Sequence, residues 1–319
     1  MRVIVLGSTG FLGRTVVADL VRHGHAVTGL SRRGMPCPEA PAASAGVLDV
    51  VAASAPTLET AFAGADAVVH CLGPDDRERV RGSATEYFQR LLVDPTQRVA
   101  GAARRSGVAS LVILGSYFTA YHRLHPDWDL AARHPYIQAR VDQARRGREA
   151  GPEATTVLEI PFVFGALPGI VPMWKSYLVA PTRRSPVAVA PAGASAAVTN
   201  TDVADAVRAV IEGRCPPGAH PLSTDVYRYD RLVRAISDAL GTPRKPVVTV
   251  PTALLGAGLR VEGWRLALTG RASGLTPGRL ATDILGRDLG LDPAAYAPPL
   301  GLTPRSLDDV VRATVAACR

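Results

Sequence analysis

Three side chains in this sequence have the types and placement needed to move a proton on and off an oxygen: Ser116, Tyr136 and Arg140. Tyr136 follows His134-Pro135, and proline suits the first turn of a helix. Arg140 lies four residues on, so the two side chains leave the same helical face. A phenol of ordinary pKa, about 10, is a weak acid or base at neutral pH unless positive charge stabilises its phenolate. Arg140 carries such a charge at any physiological pH. Ser116 follows the apolar run 109–114, and its hydroxyl can hydrogen-bond the oxygen that exchanges a proton with Tyr136.

These groups need a frame, and the first thirty-three residues supply its pattern. Residues 2–6 (RVIVL) read as a short strand buried on both faces of a parallel sheet. They run into Gly7-Ser8-Thr9-Gly10-Phe11-Leu12-Gly13, a helical pattern over 14–22, and a second apolar run over 26–30. Gly7 lets the chain turn off the strand, Gly10 leaves room for a pyrophosphate, and Gly13 lets the helix approach the sheet. The free N–H groups at the helix start, with the positive end of its dipole behind them, suit phosphate. Dinucleotide binding through Gly7, Thr9, Gly10, Phe11, Leu12 and Gly13 is therefore expected, although the spacing is G-x-x-G-x-x-G and not G-x-G-x-x-G.

Ser31-Arg32-Arg33 stands where NAD-selective folds place an acid for the ribose diol. Arginine there offers charged hydrogen bonds to a 2′-phosphate, so NADP(H) is the expected cofactor and NAD(H) the less favoured one. A third strand is predicted over 45–50, ending at Asp49 and Val50, where the carboxylate can meet an adenine amino group or simply form a turn. A fourth strand over 66–71 delivers Cys71, Leu72 and Gly73. A sixth over 155–160 delivers Pro161 and Val163. Together with Tyr136 and Arg140 these complete the expected cofactor contacts. His70, inside a strand, reads as a core histidine.

Helices are predicted over 58–63, over 84–105 with a bend near Pro95, and over 135–149. Strands alternating with helices imply an α/β fold with a doubly wound parallel sheet, which binds ligands beyond its carboxyl edge. Residues 1–165 read as the dinucleotide-binding domain and 166–319 as mainly a substrate lobe, with some elements returning to the first. In the lobe, helices are predicted over 202–212, capped by Thr201, and over 230–240 and 306–317, with strands over 187–190 and 247–250. Trp174, Tyr177, Arg183, Arg184 and Trp264 are its candidates for lining a substrate pocket.

Composition excludes several classes. The chain is 47% hydrophobic and 20% charged, ordinary for a globular protein with a full core. The net charge of +8 comes from scattered arginines, so no nucleic-acid partner is expected, and a diffuse positive field suits an anionic cofactor. Cys37, Cys71, Cys215 and Cys318 are far apart, which argues for a reducing, cytoplasmic setting and against a metal site. No leader and no membrane partner are expected.

The chain resembles the extended short-chain dehydrogenase/reductases, the NAD-dependent epimerase/dehydratase type. The resemblance rests on Gly7 to Gly13, Asp66-Ala67-Val68-Val69-His70, Gly115-Ser116, His134-Pro135-Tyr136, Pro161-Phe162-Val163-Phe164-Gly165 and Thr201-Asp202-Val203-Ala204. It implies a Rossmann sheet with a small C-terminal substrate lobe, a small-molecule substrate, and homodimers through the long helices. Tyr136 would be the catalytic acid or base and Ser116 the group that polarises the carbonyl. Arg140 stands where the family has lysine, and Leu92 where many relatives have asparagine. An NADP-dependent oxidoreductase acting on a carbonyl or alcohol is the leading expectation. The alternative is an NADP-binding member without net redox chemistry, a sensor or a cyclase/isomerase.

Overall fold

Seven short apolar strands form one parallel sheet in the computed structural model, which describes residues 1–318. In chain order they are Arg2–Leu6, Ala26–Ser31, Ser44–Val47, Ala67–His70, Ser110–Leu114, Ala154–Glu159 and Ala219–Pro221. In space they run seventh, sixth, fifth, fourth, first, second, third. The order reverses beside the first strand, where Val5 pairs with Gly29 on one side and Val69 on the other. At such a reversal the connections leave to opposite faces, and a crevice opens beyond the carboxyl ends.

Alternation along each strand builds two cores. Val3, Val5, Val69 and Val112 meet the helices Phe11–Arg22 and Asn200–Ile211 through Val16, Leu20, Val203 and Val207. Ile4, Leu6, Leu111 and Ile113 meet Ala55–Phe62 and Asp94–Arg105 through Phe62, Val99 and Ala103. The run over 84–105 is one continuous path with a wide turn in it: helix Ala84–Phe88, a π-turn at Gln89–Val93, then helix Asp94–Arg105. Pro95 has no N–H to return to Leu91, and the widened turn just before it accommodates that loss.

Three expectations change. The third strand stops at Val47, because the Asp49 carboxylate accepts the N–H groups of Val51 (3.0 Å) and Ala52 (3.4 Å) and turns the chain. The helix predicted over 202–212 spans Asn200–Ile211, and Thr199, not Thr201, is its cap. Thr199 Oγ1 accepts from Asp202 N–H at 3.0 Å while Asp202 accepts from Thr199 N–H at 2.8 Å, a reciprocal box that Thr201 has no acid to form. A 17-residue helix, Thr252–Leu268, lies where no element was expected.

Beyond residue 165 the chain both returns and departs. Ala219–Pro221 adds the seventh strand beside Ala154–Glu159. A second sheet forms around Ala194–Thr199, with Asp225–Arg228 antiparallel and Phe162–Phe164 and Asp288–Leu289 parallel to it. Among the described residues no helix is long and apolar enough to cross a membrane, and no group of His, Cys, Asp and Glu could hold a metal.

Candidate active site

The glycine turn is shaped by contacts that only glycine permits. Gly7 has φ +82°, and its N–H donates to Leu30 O at 2.8 Å, tying the turn to the second strand. A Cβ at Gly13 would stand 2.1 Å from Gly7 O, so the helix can sit this close only without a side chain there. Gly10 begins the helix Phe11–Arg22 with no side-chain cap and no acid in the first turn. Thr9 and Gly10 are exposed above it, and the Ser8 hydroxyl is buried without a partner. Uncapped N–H groups facing a glycine shelf fit the pyrophosphate of a dinucleotide.

Around this shelf the other expected contacts spread along the carboxyl edge. Ser31 is buried and accepts Gly34 N–H at 3.1 Å, whereas Arg32 and Arg33 are exposed and pair with no carboxylate among the described residues. Asp49 is exposed, and Val50 is buried in the core below it. Burial pushes the Cys71 thiol up to about 12, so it stays neutral. Gly73 lies beside the Arg140 guanidinium. Leu12, Cys71, Leu72, Gly73, Pro161 and Val163 share one pocket with Ser116, Tyr136 and Arg140.

Ser116 is held by backbone on both sides. Gly115 N–H donates to Leu158 O (2.8 Å) and Tyr117 N–H to Ile160 O (3.1 Å), stitching the fifth strand's end to the sixth. The following helix, Phe118–Leu124, is anchored by Thr119 and Arg123 on the fully buried Glu159. Tyr136 rises from the first turn of Pro135–Ala150, its ring edge-on to Phe88 (5.2 Å). Arg140 Nε donates to Tyr136 Oη at 2.9 Å. Its Nη1 donates to Gln143 Oε1 (2.8 Å) and Leu114 O (3.3 Å).

Behind Arg140 runs a buried polar chain. Gln143 Nε2 donates to Thr96 Oγ1 at 3.0 Å, and His70 Nε2 lies 3.0 Å from the same hydroxyl. Burial first, and Arg140 second, push His70 down to about 4, so it is neutral and stays within the core as expected, with Nδ1 unpartnered. The Tyr136 phenol is raised: burial outweighs the lowering effect of Arg140. The arginine alone therefore does not bring the phenol to its ionised form.

Asp75, Asp76, Arg77 and Tyr117 line this pocket and escaped the sequence reading. Asp76, in the loop after the fourth strand, lines the same pocket, its side chain only 18% exposed and 3.2 Å from Arg77 Nε. Burial is the main cause that pushes it up to about 7. Arg77 and Arg140 oppose the rise, and Asp75 adds to it. Tyr117, Tyr136 and Tyr229 also feel its charge. The signal was positional: Asp75-Asp76-Arg77 comes directly after the carboxyl end of a central strand, where ligands sit. Because folding raises this pKa, the stability it contributes is full below the ordinary value of 3.8 and is lost as pH rises through about 7. Asp76→Asn is expected to melt above the wild type at pH 8 and level with it at pH 4. An equal difference at both pH values in thermal unfolding would refute the assignment.

Of the lobe candidates, Trp174 lines the pocket, with its Nε1 donating to Val163 O at 2.8 Å. Tyr177 lies outside the lining and stacks under Arg77, 4.8 Å from its ring centre. Arg183, Arg184 and Trp264 are exposed and outside the pocket.

Comparison with known proteins adds a match over part of this frame. Residues 7–158 match the NAD(P)H-binding family model. The glycine turn, the ends of the second to fifth strands and the helix Pro135–Ala150 fall within the matched residues, and Pro161 and Val163 lie just beyond them. A 3-beta-hydroxysteroid dehydrogenase of Mycolicibacterium neoaurum is 32% identical over 121 residues, 36% of this chain and 32% of that protein. The chain matches between a tenth and a third of the length of its curated relatives (10% to 32%). Among solved structures, gox2253 superposes with a TM-score of 0.78 at 19% identity, covering 99% of this chain and 97% of that one. The Bordetella bronchiseptica enzyme WbmG, solved with NAD and UDP, gives 0.70 at 17% identity, covering 99% and 94%. The fold is the one these two solved structures share, with the Rossmann sheet that the sequence motifs implied.

Proposed function

We propose that the protein is an NADP(H)-dependent oxidoreductase acting on the carbonyl or alcohol carbon of a small organic substrate. The observation that carries this reading is the Tyr136 Oη–Arg140 Nε hydrogen bond of 2.9 Å, in one pocket with Ser116 at the carboxyl edge of the sheet. The Gly7–Gly13 turn would hold the dinucleotide, whose nicotinamide would supply or accept a hydride. In reduction, Tyr136 Oη–H gives its proton to the substrate oxygen, and in oxidation Tyr136 takes it back. Ser116 donates a hydrogen bond to that same oxygen and orients it. Arg140 steadies the phenolate while it exists. The same groups serve an epimerisation or dehydration that proceeds through transient oxidation.

Residues 166–319 form mainly the substrate side and contribute Met173 and Trp174 to the pocket lining. Tyr117, Phe118 and Phe162 add aromatic surface to the pocket, and Asp75, Asp76 and Arg77 add charge, so a substrate with both an apolar part and polar groups fits it.

The preference for NADP(H) rests on Arg32, exposed and unpaired beyond the second strand, where no acid opposes a 2′-phosphate. A hydrogen bond to a charged group is worth about 1.5–3 kcal/mol, and less where solvent screens it. Arg32→Ala is therefore expected to weaken NADPH binding about tenfold and leave NADH binding unchanged, measured by fluorescence titration. Equal losses for both cofactors would show that Arg32 does not read the phosphate.

A further inference from the structure

The helix Thr252–Leu268 is apolar on two faces, and only one of them is covered. Its inner side, with Gly256 and Leu266 buried, packs on the segments Pro277–Leu280 and Ala281–Leu285. Its outer side carries Leu254, Ala257, Val261, Trp264 and Leu268, which recur at i, i+3, i+7, i+10 and i+14 and so form one stripe. All five are exposed, with Leu254 at 67%, Trp264 at 69% and Leu268 at 88%. A contiguous bare stripe of this kind is a contact surface. Val248, four residues before Thr252, is a register partner of Val189, and both are exposed as well.

Charge selects the occupant. At 100° per residue Arg260 and Arg265 border the stripe on its two sides, both exposed and paired with no carboxylate among the described residues. Glu262, the acid of this helix, is taken up by Arg79 at 2.7 Å. Arg271 and Arg279, just beyond the helix end and on the segment packed beneath it, are exposed and likewise unpaired. A second copy of the chain laid on this stripe would bring like charges together. An anionic surface would meet them with opposite ones.

We propose that this helix docks the protein flat on an anionic lipid surface. Its apolar stripe would lie at the level of the acyl boundary, Trp264 would sit among the headgroups, and Arg260 and Arg265 would reach phosphates on either flank. The sequence reading expected no membrane partner because nothing spans one. A helix lying in the interface needs no spanning length.

The test is co-sedimentation of the whole protein with phosphatidylglycerol/phosphatidylcholine vesicles and with pure phosphatidylcholine vesicles, together with tryptophan emission. Binding is expected on the anionic vesicles and about tenfold weaker or absent on the neutral ones, with a blue shift that Trp264→Phe abolishes. Arg260→Glu combined with Arg265→Glu is expected to lower partitioning at least tenfold. Leu254→Ser combined with Leu268→Ser, both at exposed positions, is expected to lower it with no loss of melting temperature. Equal binding of wild type and these variants, or none to anionic vesicles, overturns the proposal. A wild-type dimer that Leu254→Ser/Leu268→Ser turns into a monomer also overturns it, because a second copy would then be the occupant.

Discussion

Tyr136→Phe is expected to lower kcat by about 10²–10⁴-fold, the range that one positioned acid–base group supplies, while the dissociation constant for NADPH changes little. The substitution removes one oxygen and keeps the ring. Phe88 at 5.2 Å and Phe118 at 6.3 Å therefore retain their edge contacts, and the helix Pro135–Ala150 keeps its packing. Arg140 loses one acceptor but keeps Leu114 O and Gln143 Oε1, so its charge stays in place. A large kcat effect on this quiet structural background would isolate the proton transfer. The measurement is steady-state turnover of a carbonyl substrate, followed by cofactor absorbance, beside a cofactor titration of the same preparation. Turnover retained within a few-fold would remove Tyr136 from the chemistry. An equal fall in cofactor affinity would make its role structural.

The pH dependence of that step follows from the surroundings of the phenol. Burial raises Tyr136 and also Asp76, so the pocket without its cofactor is set to hold protons, not release them. Arg140 opposes both shifts. Lysine in this position would present a compact ammonium. Arginine divides its donors among Tyr136, Leu114 and Gln143, and through Gln143 it is tied to Thr96 and the buried His70. The planar guanidinium is thus fixed from behind by a chain of hydrogen bonds that reaches the floor of the sheet.

The parts of this arrangement that were legible in the sequence were those with a period or a fixed spacing. RVIVL before three glycines three residues apart announces a strand, a turn and a helix. The four-residue step from Tyr136 to Arg140 announces a shared face, and the 2.9 Å bond realises it. What escaped depends on contacts distant in the chain. Ala219–Pro221 carries no strand pattern of its own and becomes the seventh strand only because the edge of Ala154–Glu159 is open to it. Asp76 looks like one acid in a charged loop until the fold buries it beside Tyr117 and Arg77. Thr199 and Thr201 both precede the same helix. Only Thr199 stands three residues before the acid that completes the box. The helix Thr252–Leu268 has apolar residues on both faces, so neither face stands out in its pattern.

Gly13→Ala is expected to abolish tight dinucleotide binding and to lower stability, and the reason is purely geometric. The added methyl carbon would stand 2.1 Å from Gly7 O, 2.8 Å from Gly7 C and 3.0 Å from Ser8 Cα. All three are backbone atoms of the turn itself, so no flexible side chain can yield. Either the helix Phe11–Arg22 lifts off the first strand or the turn opens, and both movements carry the uncapped N–H groups away from the pyrophosphate. Lifting the helix also strains the contacts of Val16, Val17 and Leu20 with the sheet, and forcing a methyl group into a packed core costs about 1–3 kcal/mol. For a chain of this length that is a fall of a few degrees in melting temperature, about 2–4 °C per kcal/mol. The variant is therefore expected to fold, to melt a few degrees lower, and to bind NADPH and NADH at least tenfold more weakly. Arg32→Ala separates the two cofactors, whereas Gly13→Ala should not, because the turn meets the pyrophosphate that both share. Calorimetric titration with each cofactor decides it. Affinity within twofold of wild type for either one would place the dinucleotide elsewhere than on the Gly7–Gly13 turn.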